Sequence, residues 1–307
     1  MRKMCVVVIA LLLFSEAAFA GFSSGAPTLQ TICIEPDGSV NPASAPIQHN
    51  GDKYTFTGDI YSPILIEKGG IVLDGAGYTL QGTYNGNQTG LWVIGQGPNQ
   101  TPDNGTEIPW TIGIDLSGSN VCNLTIENLI IKNFTVGTYI WTPDNTLIGN
   151  LMSENLVGIL ISDSSNKINA NYISKNTYGI FVGINTPSIL NSNITIDSNS
   201  FVNNTNQIGG CSCVGTLNET NPWGIEVSGN YWSDYNGTDI NHYGVGDTPY
   251  VVSGKVSDDK PLMSNGVVPS TRASYSTIDS ILLAAGIASP ILVALGLIAA
   301  RKRKKKQ

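Results

Sequence analysis

Asparagine recurs along this chain with a spacing that suggests one shared role. Eight asparagines lie in two rows, and each member of the second row follows one of the first by five residues: Asn128, Asn150, Asn171 and Asn199, then Asn133, Asn155, Asn176 and Asn204. A carboxamide both donates and accepts hydrogen bonds, so such rows could bind a ligand or hold a scaffold together. Because buried polar groups need partners and asparagine suits tight turns, we predict a structural ladder at turns.

A short repeat positions these asparagines. Two units of 21 residues begin at Gly137 and Gly158, and a longer unit begins at Gly179. Apolar runs such as 159–161 and 180–182 last only three residues. Runs of that length favour strands, since an amphipathic helix needs apolar residues every three or four positions over a longer stretch. One unit has room for three short strands and three turns, which predicts a β-solenoid with coils about 4.8 Å apart.

Stacked coils place equivalent residues above one another, so apolar residues should form ladders as well. Two positions after the first asparagine row, we expect an interior ladder, formed by Ile130, Met152, Ile173 and Phe201. Three positions before that row, a second ladder is expected, formed by Leu147, Ile168 and Ile196. The same alignment places Asn133 in the interior, where a glycan could not reach it.

The two ends of the chain predict an anchored surface protein. Residues 1–20 have a basic start, an apolar run and an Ala-Phe-Ala cleavage site, as a secretory signal peptide does. Residues 281–300 carry no charge and are long enough for a membrane span. The basic tail at 301–307 marks the cytoplasmic side, so the ectodomain is expected outside the cell, joined by a linker at 265–280.

The charge of the predicted ectodomain limits the classes of molecule that it can bind. Residues 21–280 contain 22 acidic and eight basic side chains, and the whole chain has a net charge of −7. Such a surface repels nucleic acid and other polyanions. The expected partners are the membrane, surface glycans and other surface proteins.

Four cysteines remain after the predicted signal peptide: Cys33, Cys122, Cys211 and Cys213. Outside the cell they could form disulfides, and four thiols allow three pairings. A soft-metal site is the alternative, but no histidine lies near them in the sequence. The sequence favours disulfides or thiols and does not fix the pairing.

The rest of the ectodomain divides by composition. Residues 21–84 are expected to form an N-terminal cap and first coils, 85–112 a loop insertion, 113–209 the repeats, and 210–264 a C-terminal coil and cap. Five N-x-S/T sequons lie in loop-like sequence and are candidate glycosylation sites: Asn87, Asn99, Asn104, Asn218 and Asn236.

An aromatic group near the C-terminal end has two interpretations. Its members are Trp223, Tyr231, Trp232, Tyr235 and Tyr243. Aromatic faces can stack on sugars, but they can also cover the open end of a solenoid core. We expect a cap in preference to a sugar site.

Three segments carry a family resemblance. IVLDGAGYTLQG at 71–82, GNYWSDYNGTD at 229–239 and GVGDTPYVV at 244–252 resemble right-handed parallel β-helix surface proteins of archaea with NosD-like repeats. The resemblance implies an all-β fold, a right-handed parallel β-helix. It also implies membership of a group often described as carbohydrate-binding or sugar-hydrolysing, whose namesake assists copper maturation.

The resemblance further implies a cation-binding loop in the terminal segment. Its oxygen donors here are Asp234, Asn236, Asp239, Asn241 and Asp247. Calcium is the cofactor that such oxygens would hold, and turn capping is the alternative. Copper would need soft or imidazole ligands, of which the ectodomain offers few besides its cysteines: His49, His242, Met152 and Met263.

These observations predict a structural or adhesive surface protein that binds carbohydrate. The first alternative is a polysaccharide lyase or hydrolase. A hydrolase needs two facing carboxylates, and Asp163 with Glu154, or Asp115 with Glu127, are the pairs that could meet on a coil face. Nothing in their spacing distinguishes them from surface charges, so no catalytic residue is assigned and a non-enzymatic role is favoured. The second alternative is NosD-like copper handling.

Overall fold

The computed structural model describes residues 30–86, 111–119, 121–183, 193–210, 224–253 and 256–266. Within these ranges the protein consists of strands without any helix, and most neighbouring strands run parallel. Each coil contributes one strand to each of three sheets before the next coil repeats the order. The fold is therefore all-β, with the architecture of a parallel β-helix.

The strands are numbered in chain order and grouped here by sheet. Sheet A contains, in stacking order, β2 (Val40–Asn41), β1 (Ile32–Ile34), β5 (Ile64–Ile66), β8 (Ile112–Leu116), β11 (Val136–Ile140), β14 (Val157–Ile161), β17 (Tyr178–Val182) and β20 (Asn206–Gly210). Sheet B contains β23 (Tyr250–Ser253), β24 (Val256–Asp258), β21 (Glu226–Ser228), β18 (Thr195–Asp197), β15 (Lys167–Asn169), β12 (Thr146–Ile148), β9 (Thr125–Glu127), β6 (Val72–Asp74), β4 (Lys53–Phe56) and β3 (Ile47–Asn50). Sheet C contains β22 (Tyr231–Trp232), β19 (Ser200–Val202), β16 (Tyr172–Ser174), β13 (Leu151–Ser153), β10 (Ile130–Lys132) and β7 (Thr79–Gln81).

The core is built from ladders of inward-facing side chains. In sheet B, Leu147, Ile168 and Ile196 are in register and fully buried, which confirms that predicted ladder. In sheet C the register joins Met152 to Ile173 and Ile173 to Phe201. In these two ladders the middle residue of each three-residue strand points inward, because side chains alternate between the two faces of a strand.

The predicted position of Ile130 in this sheet C ladder is wrong. Ile131 pairs with Met152 and is buried, whereas Ile130 pairs with Leu151 and is half-buried. The physical reason is that this coil joins the next by the same 21-residue step as the later coils, so the residue in register with Met152 is Ile131. An alignment that is one residue off exchanges the inward and outward faces of a strand.

Both ends of the described β-helix carry antiparallel strands. At the N-terminal end β1 pairs with β2, and β3 pairs with β4. At the C-terminal end β23 and β24 form an antiparallel pair beside β21. Such pairs cover the open edge of a sheet and its core.

The predicted insertion at 85–112 ends earlier than expected, because Ile112 already belongs to β8.

The predicted signal peptide, membrane span and basic tail lie outside the described residues. In the part of the chain that the structure describes, no helix is long and apolar enough to cross a membrane.

Candidate functional site

The turns between sheets hold rows of buried asparagines. One row contains Asn150, Asn171, Asn199 and Asn230, a second contains Asn155, Asn176 and Asn204, and a third, which the repeat did not predict, contains Asn145 and Asn166. In each row, the side-chain oxygen of one coil accepts hydrogen bonds from the backbone N–H and the carboxamide of the preceding coil. These groups are therefore occupied by the scaffold.

Two of the eight predicted ladder members lie one residue away from it. Leu129 and Phe134 occupy the ladder position, and their backbone N–H groups donate to Asn150 Oδ1 and Asn155 Oδ1. Asn128 and Asn133 precede them and have left-handed backbones, with φ of 54° and 61°. The equal spacing of five residues between Asn128 and Asn133 concealed this difference. The signal in the sequence was the gap of 22 residues from Asn128 to Asn150, one more than the 21-residue repeat.

Trp232 lies at the centre of the C-terminal cap. It is 1% exposed and lies between Phe201 and Tyr250, with ring centroids 4.4 and 4.2 Å away. Its indole Nε1 donates to Asp258 Oδ2 at 3.0 Å. Both ring faces are thus covered, which is the geometry of a core cap and leaves neither face of Trp232 for a sugar.

The other predicted aromatic residues have different surroundings. The Tyr235 hydroxyl donates to the Thr248 carbonyl at 2.7 Å, and Tyr231 is half-buried. Tyr243 is 84% exposed. Trp223 lies outside the described residues.

Asp258 has a structural role in the scaffold that the sequence analysis did not identify. Its buried carboxylate ends the row that begins at Asn150, where it accepts from the N–H groups of Gly229 and Asn230 and from Asn230 Nδ2. The Lys260 N–H also donates to it. A carboxylate without N–H donors of its own closes a row of amides, since it can accept without leaving a further donor unpaired.

The predicted calcium ligands use their oxygens in local contacts. Asp234 accepts from Gln207 Nε2 and the Tyr250 hydroxyl, and Asp239 accepts from the backbone N–H groups of Tyr243 and Gly244. Burial, followed by the charge of Asp234, raises the pKa of Tyr250. The Asp239 contacts stabilise a turn, and the Asp234 contacts join the loop to the C-terminal cap.

The remaining predicted calcium ligands also lie at the surface of this loop. Asp247 Oδ2 accepts from the Ile240 N–H, and the side chains of Asn236 and Asn241 are exposed. Among the described residues, the three aspartates do not gather into a group of metal-ligand atoms. Calcium binding here stays a prediction.

Of the candidate glycosylation sites, Asn236 lies on the exposed surface. Asn87, Asn99, Asn104 and Asn218 are outside the described residues.

Neither proposed carboxylate pair faces across a common site. Asp115 lies on β8 of sheet A, whereas Glu127 lies on β9 of sheet B. Glu154 precedes β14 and Asp163 follows it, so a five-residue strand of roughly 16 Å separates them. Burial raises the pKa of Asp115, while Ser117 hydrogen bonds lower it. The paired-carboxylate geometry of a hydrolase is therefore not formed by these residues.

A polar cleft opens along the turn that leads from sheet C to sheet A. It has a volume of about 360 Å³ and is lined by Tyr84, Asn85, Gly86, Asn133, Glu154, Asn155, Lys175 and Thr177. The coil repeat explains how it forms. Asn133, Glu154 and Lys175 are successive left-handed turn residues, so their side chains leave the coils in a row along the helix axis.

The hydrogen-bonding capacity of the cleft is not fully satisfied by the described residues. Asn133 Oδ1 is buried and has no hydrogen-bond partner among the described residues. Lys175 Nζ lies 4.0 Å from Glu154 Oε1, and both side chains are more than half exposed. Burial raises the pKa of Tyr84, whose hydroxyl is hydrogen bonded to the side chain of Thr177. The cleft thus presents an exposed carboxylate and an exposed ammonium group, with an unsatisfied acceptor in its wall.

A comparison with known families matches residues 62–237, more than half of the chain, to the family described as periplasmic copper-binding protein (NosD). The chain belongs to the NosD family. The match spans the coils from β5 to β22 and includes every residue that lines the cleft. No curated protein and no solved structure matches the chain significantly.

The described part of this NosD family member does not assemble a typical copper ligand set. His49 stacks on Tyr54 at 5.0 Å, and His242 is exposed in the C-terminal region. Met152 is buried in the core, and Met263 lies near the C-terminal cap. Copper favours imidazole, thiolate and thioether ligands. Among the described residues, these side chains do not converge on one site.

One group of side chains does have metal-ligand spacing. Ligand atoms of Cys33, Glu35 and Glu67 lie within 4.8 Å of one another. Cys33 and Cys122 are both thiols, so no disulfide joins them; Cys33 is buried and Cys122 is exposed. Cys211 and Cys213 lie outside the described residues.

Proposed function

We propose that this NosD family member is an extracellular, membrane-anchored β-helix protein that binds carbohydrate in the cleft between sheets C and A. The observation that carries the proposal is the polar cleft, which is lined by Asn133 and by the exposed side chains of Glu154 and Lys175. Asn133 Oδ1 is buried and accepts no hydrogen bond from the described residues, and a buried acceptor without a partner costs free energy. Rotation of this side chain toward the cleft would let a sugar hydroxyl donate to the oxygen and remove that cost.

The order of polar side chains in the cleft suits an extended ligand. Asn133, Glu154 and Lys175 follow one another by one coil each, about 4.8 Å per step. A saccharide chain that lies along the helix axis would meet an acceptor, a carboxylate and an ammonium group in turn. Sugar hydroxyls both donate and accept, so they can satisfy all three.

Charge favours a neutral or amino sugar as the ligand. The chain carries a net charge of −7, and the cleft pairs one carboxylate with one ammonium group. A polyanionic polysaccharide would be repelled by the acidic surface as a whole. The predicted signal peptide and membrane span support a location where such glycans are found.

The geometry supports binding more than catalysis. Within the described lining of the cleft, Glu154 is the only carboxylate, whereas glycoside hydrolysis normally uses two. A lyase would use a base such as Lys175, but it also needs cationic groups that neutralise a uronic carboxylate. Release of sugar from polysaccharides by the purified protein would favour the enzymatic alternative.

The test is a glycan-array screen of the detergent-solubilised full chain, followed by titration with the best ligand. Asn133→Gly removes the carboxamide and keeps the left-handed backbone, since glycine adopts positive φ without strain. We expect it to weaken binding about tenfold or more, which corresponds to the loss of one well-formed hydrogen bond of about 1.4 kcal/mol.

Asn203→Gly is the matched control. Asn203 has the same left-handed backbone, with φ of 54°, but is not among the residues that line the cleft. It should leave the affinity unchanged. Equal affinities for both variants and the original chain, or no glycan binding at all, would contradict the proposal. Repeating the screen with calcium and with a chelator tests the predicted calcium dependence.

A further inference from the structure

We propose that Cys33, Glu35 and Glu67 form a site for a divalent cation of the zinc type. The group lies at the first coil and shares no residue with the cleft. Cys33 and Glu35 also precede the segment that matches the NosD family. The site would therefore be a property of this chain's N-terminal coil.

The register of two strands brings the three side chains together. On β1, Ile32 and Ile34 belong to the core, so the intervening Cys33 is on the opposite face of sheet A. β1 runs parallel to β5, and Ile34 pairs with Ile66. Glu35 and Glu67 follow these paired residues and so leave the sheet at the same edge. The backbone N–H of Glu67 donates to the Ile34 carbonyl at 2.9 Å, which fixes this edge.

The distances suit a tetrahedral ion. Cys33 Sγ lies 3.5 Å from Glu67 Oε2, and all three ligand atoms lie within 4.8 Å of one another. With Zn–S of about 2.3 Å and Zn–O of about 2.1 Å, a tetrahedral angle places sulfur and oxygen about 3.6 Å apart. Small rotations of the glutamate side chains would therefore complete three of the four ligand positions.

The ligand types select the class of metal. A thiolate is a poor ligand for calcium and magnesium, which bind oxygen. Two carboxylates are a poor match for copper(I), which favours soft sulfur ligands. Zinc accepts both cysteine sulfur and carboxylate oxygen. The group therefore fits zinc and its cobalt(II) substitute better than the copper of the family description.

Neighbouring residues would position the ligands and admit the ion. Asn41 Nδ2 donates to Glu35 Oε1 at 3.3 Å, an outer contact of the kind that orients metal-binding carboxylates. Glu35 and Asn41 also line an adjoining groove of about 590 Å³, together with Asp37. Water from this groove could provide the fourth ligand. Cys33 itself is 6% exposed, so the thiolate would be shielded from competing ligands.

The test is titration of the reduced full chain with cobalt(II), followed by ultraviolet absorption. A cobalt–thiolate bond gives a charge-transfer band that carboxylates do not give. We expect one equivalent of cobalt to produce this band, and zinc to displace it. Cys33→Ser should abolish the band, and Glu67→Gln should weaken cobalt binding about tenfold or more while leaving the thiol in place.

The other cysteines provide matched controls. Cys122→Ser removes an exposed thiol, and the double variant Cys211→Ser, Cys213→Ser removes the C-x-C pair. Both should keep the band. Absence of the band in the original chain would overturn the proposal. A band that survives Cys33→Ser, or is lost in either control, would assign the metal to other thiols and would overturn it as well. Equal melting temperatures of the variants show that folding is unaffected.

Discussion

Asn171 and Asn133 show how much depends on the position of a carboxamide at a turn. Asn171 Oδ1 accepts from the N–H and Nδ2 of Asn150, and its own Nδ2 donates to the Leu147 carbonyl and to Asn199 Oδ1. Asn133 is offset by one residue from its row, and its Oδ1 is left without such a partner in the described chain. The first carboxamide stabilises the scaffold, and the oxygen of the second lies unsatisfied beside the cleft.

Replacing Asn171 by leucine should destabilise the β-helix. The change keeps a similar volume but leaves buried groups of the adjacent coils unpaired, at a cost of about 1–3 kcal/mol for each. A total near 3 kcal/mol would lower the melting temperature by roughly 6–12 °C in a domain of this size. Differential scanning calorimetry measures the shift.

Asn241→Leu is the control for this prediction, because Asn241 is an exposed residue of the C-terminal loop. Its melting temperature should stay within about 1–2 °C of the original, as surface substitutions change stability by less than about 0.5 kcal/mol. If the Asn171→Leu protein has the same melting temperature as the Asn241→Leu control, the asparagine rows do not stabilise the fold.

At the scale of the element, glycine is the second residue of four consecutive sheet A strands, β8, β11, β14 and β17. Gly113, Gly137, Gly158 and Gly179 occupy equivalent positions in successive coils. A Cβ on Gly158 would lie 2.5 Å from the Gly179 carbonyl oxygen and 3.2 Å from Asn176 Nδ2. The close approach of stacked backbones, and the asparagine row beside them, therefore requires a residue without a side chain.

Gly158→Ala should consequently destabilise the stack although it is the smallest possible change. The backbone oxygen cannot rotate away as a side chain would, so neighbouring coils must separate, at a cost of about 1–3 kcal/mol. Gly266→Ala is the matched control, because an added Cβ there meets nothing within 4 Å. Urea denaturation of both variants measures the difference, and equal midpoints would contradict the packing argument.

The strands of the repeats were predictable because their periodicity is local. Short apolar runs and polar turns recur within each coil, and the ladder of Leu147, Ile168 and Ile196 follows from that spacing. The wrong placement of Asn128 came from aligning asparagines, although Asn128 lies 22 residues before Asn150 and the repeat is 21 residues long. The contact from the Leu129 N–H to Asn150 Oδ1 restores the 21-residue step.

The cap and the candidate sites depend on contacts that are distant in sequence. Asp258 and Trp232 meet across 26 residues, and Cys33 and Glu67 across 34. The aromatic composition predicted a cap. That Trp232 is its covered centre became clear only from the structure, in which Phe201 and Tyr250 stack on its two faces. The cleft was not predicted, because Tyr84 and Lys175 are distant in the sequence and meet only when the coils stack.

At the scale of the whole molecule, a regular scaffold carries two irregular sites. The stacked coils bury the three asparagine rows and the apolar ladders, and antiparallel pairs cover the described ends. The cleft at Asn133 lies where the left-handed turn residues Asn133, Glu154 and Lys175 follow one another on successive coils. The Cys33 group lies where the first coil begins. Membership of the NosD family accounts for the scaffold, while both proposed sites follow from side chains particular to these places.

A crystal structure of the protein with the best ligand from the glycan array tests the central claim most directly. The account predicts sugar density in the cleft, with a hydroxyl within about 3.2 Å of Asn133 Oδ1 and further contacts to Glu154 or Lys175. Sugar density elsewhere on the protein, with the cleft holding only solvent, would contradict it.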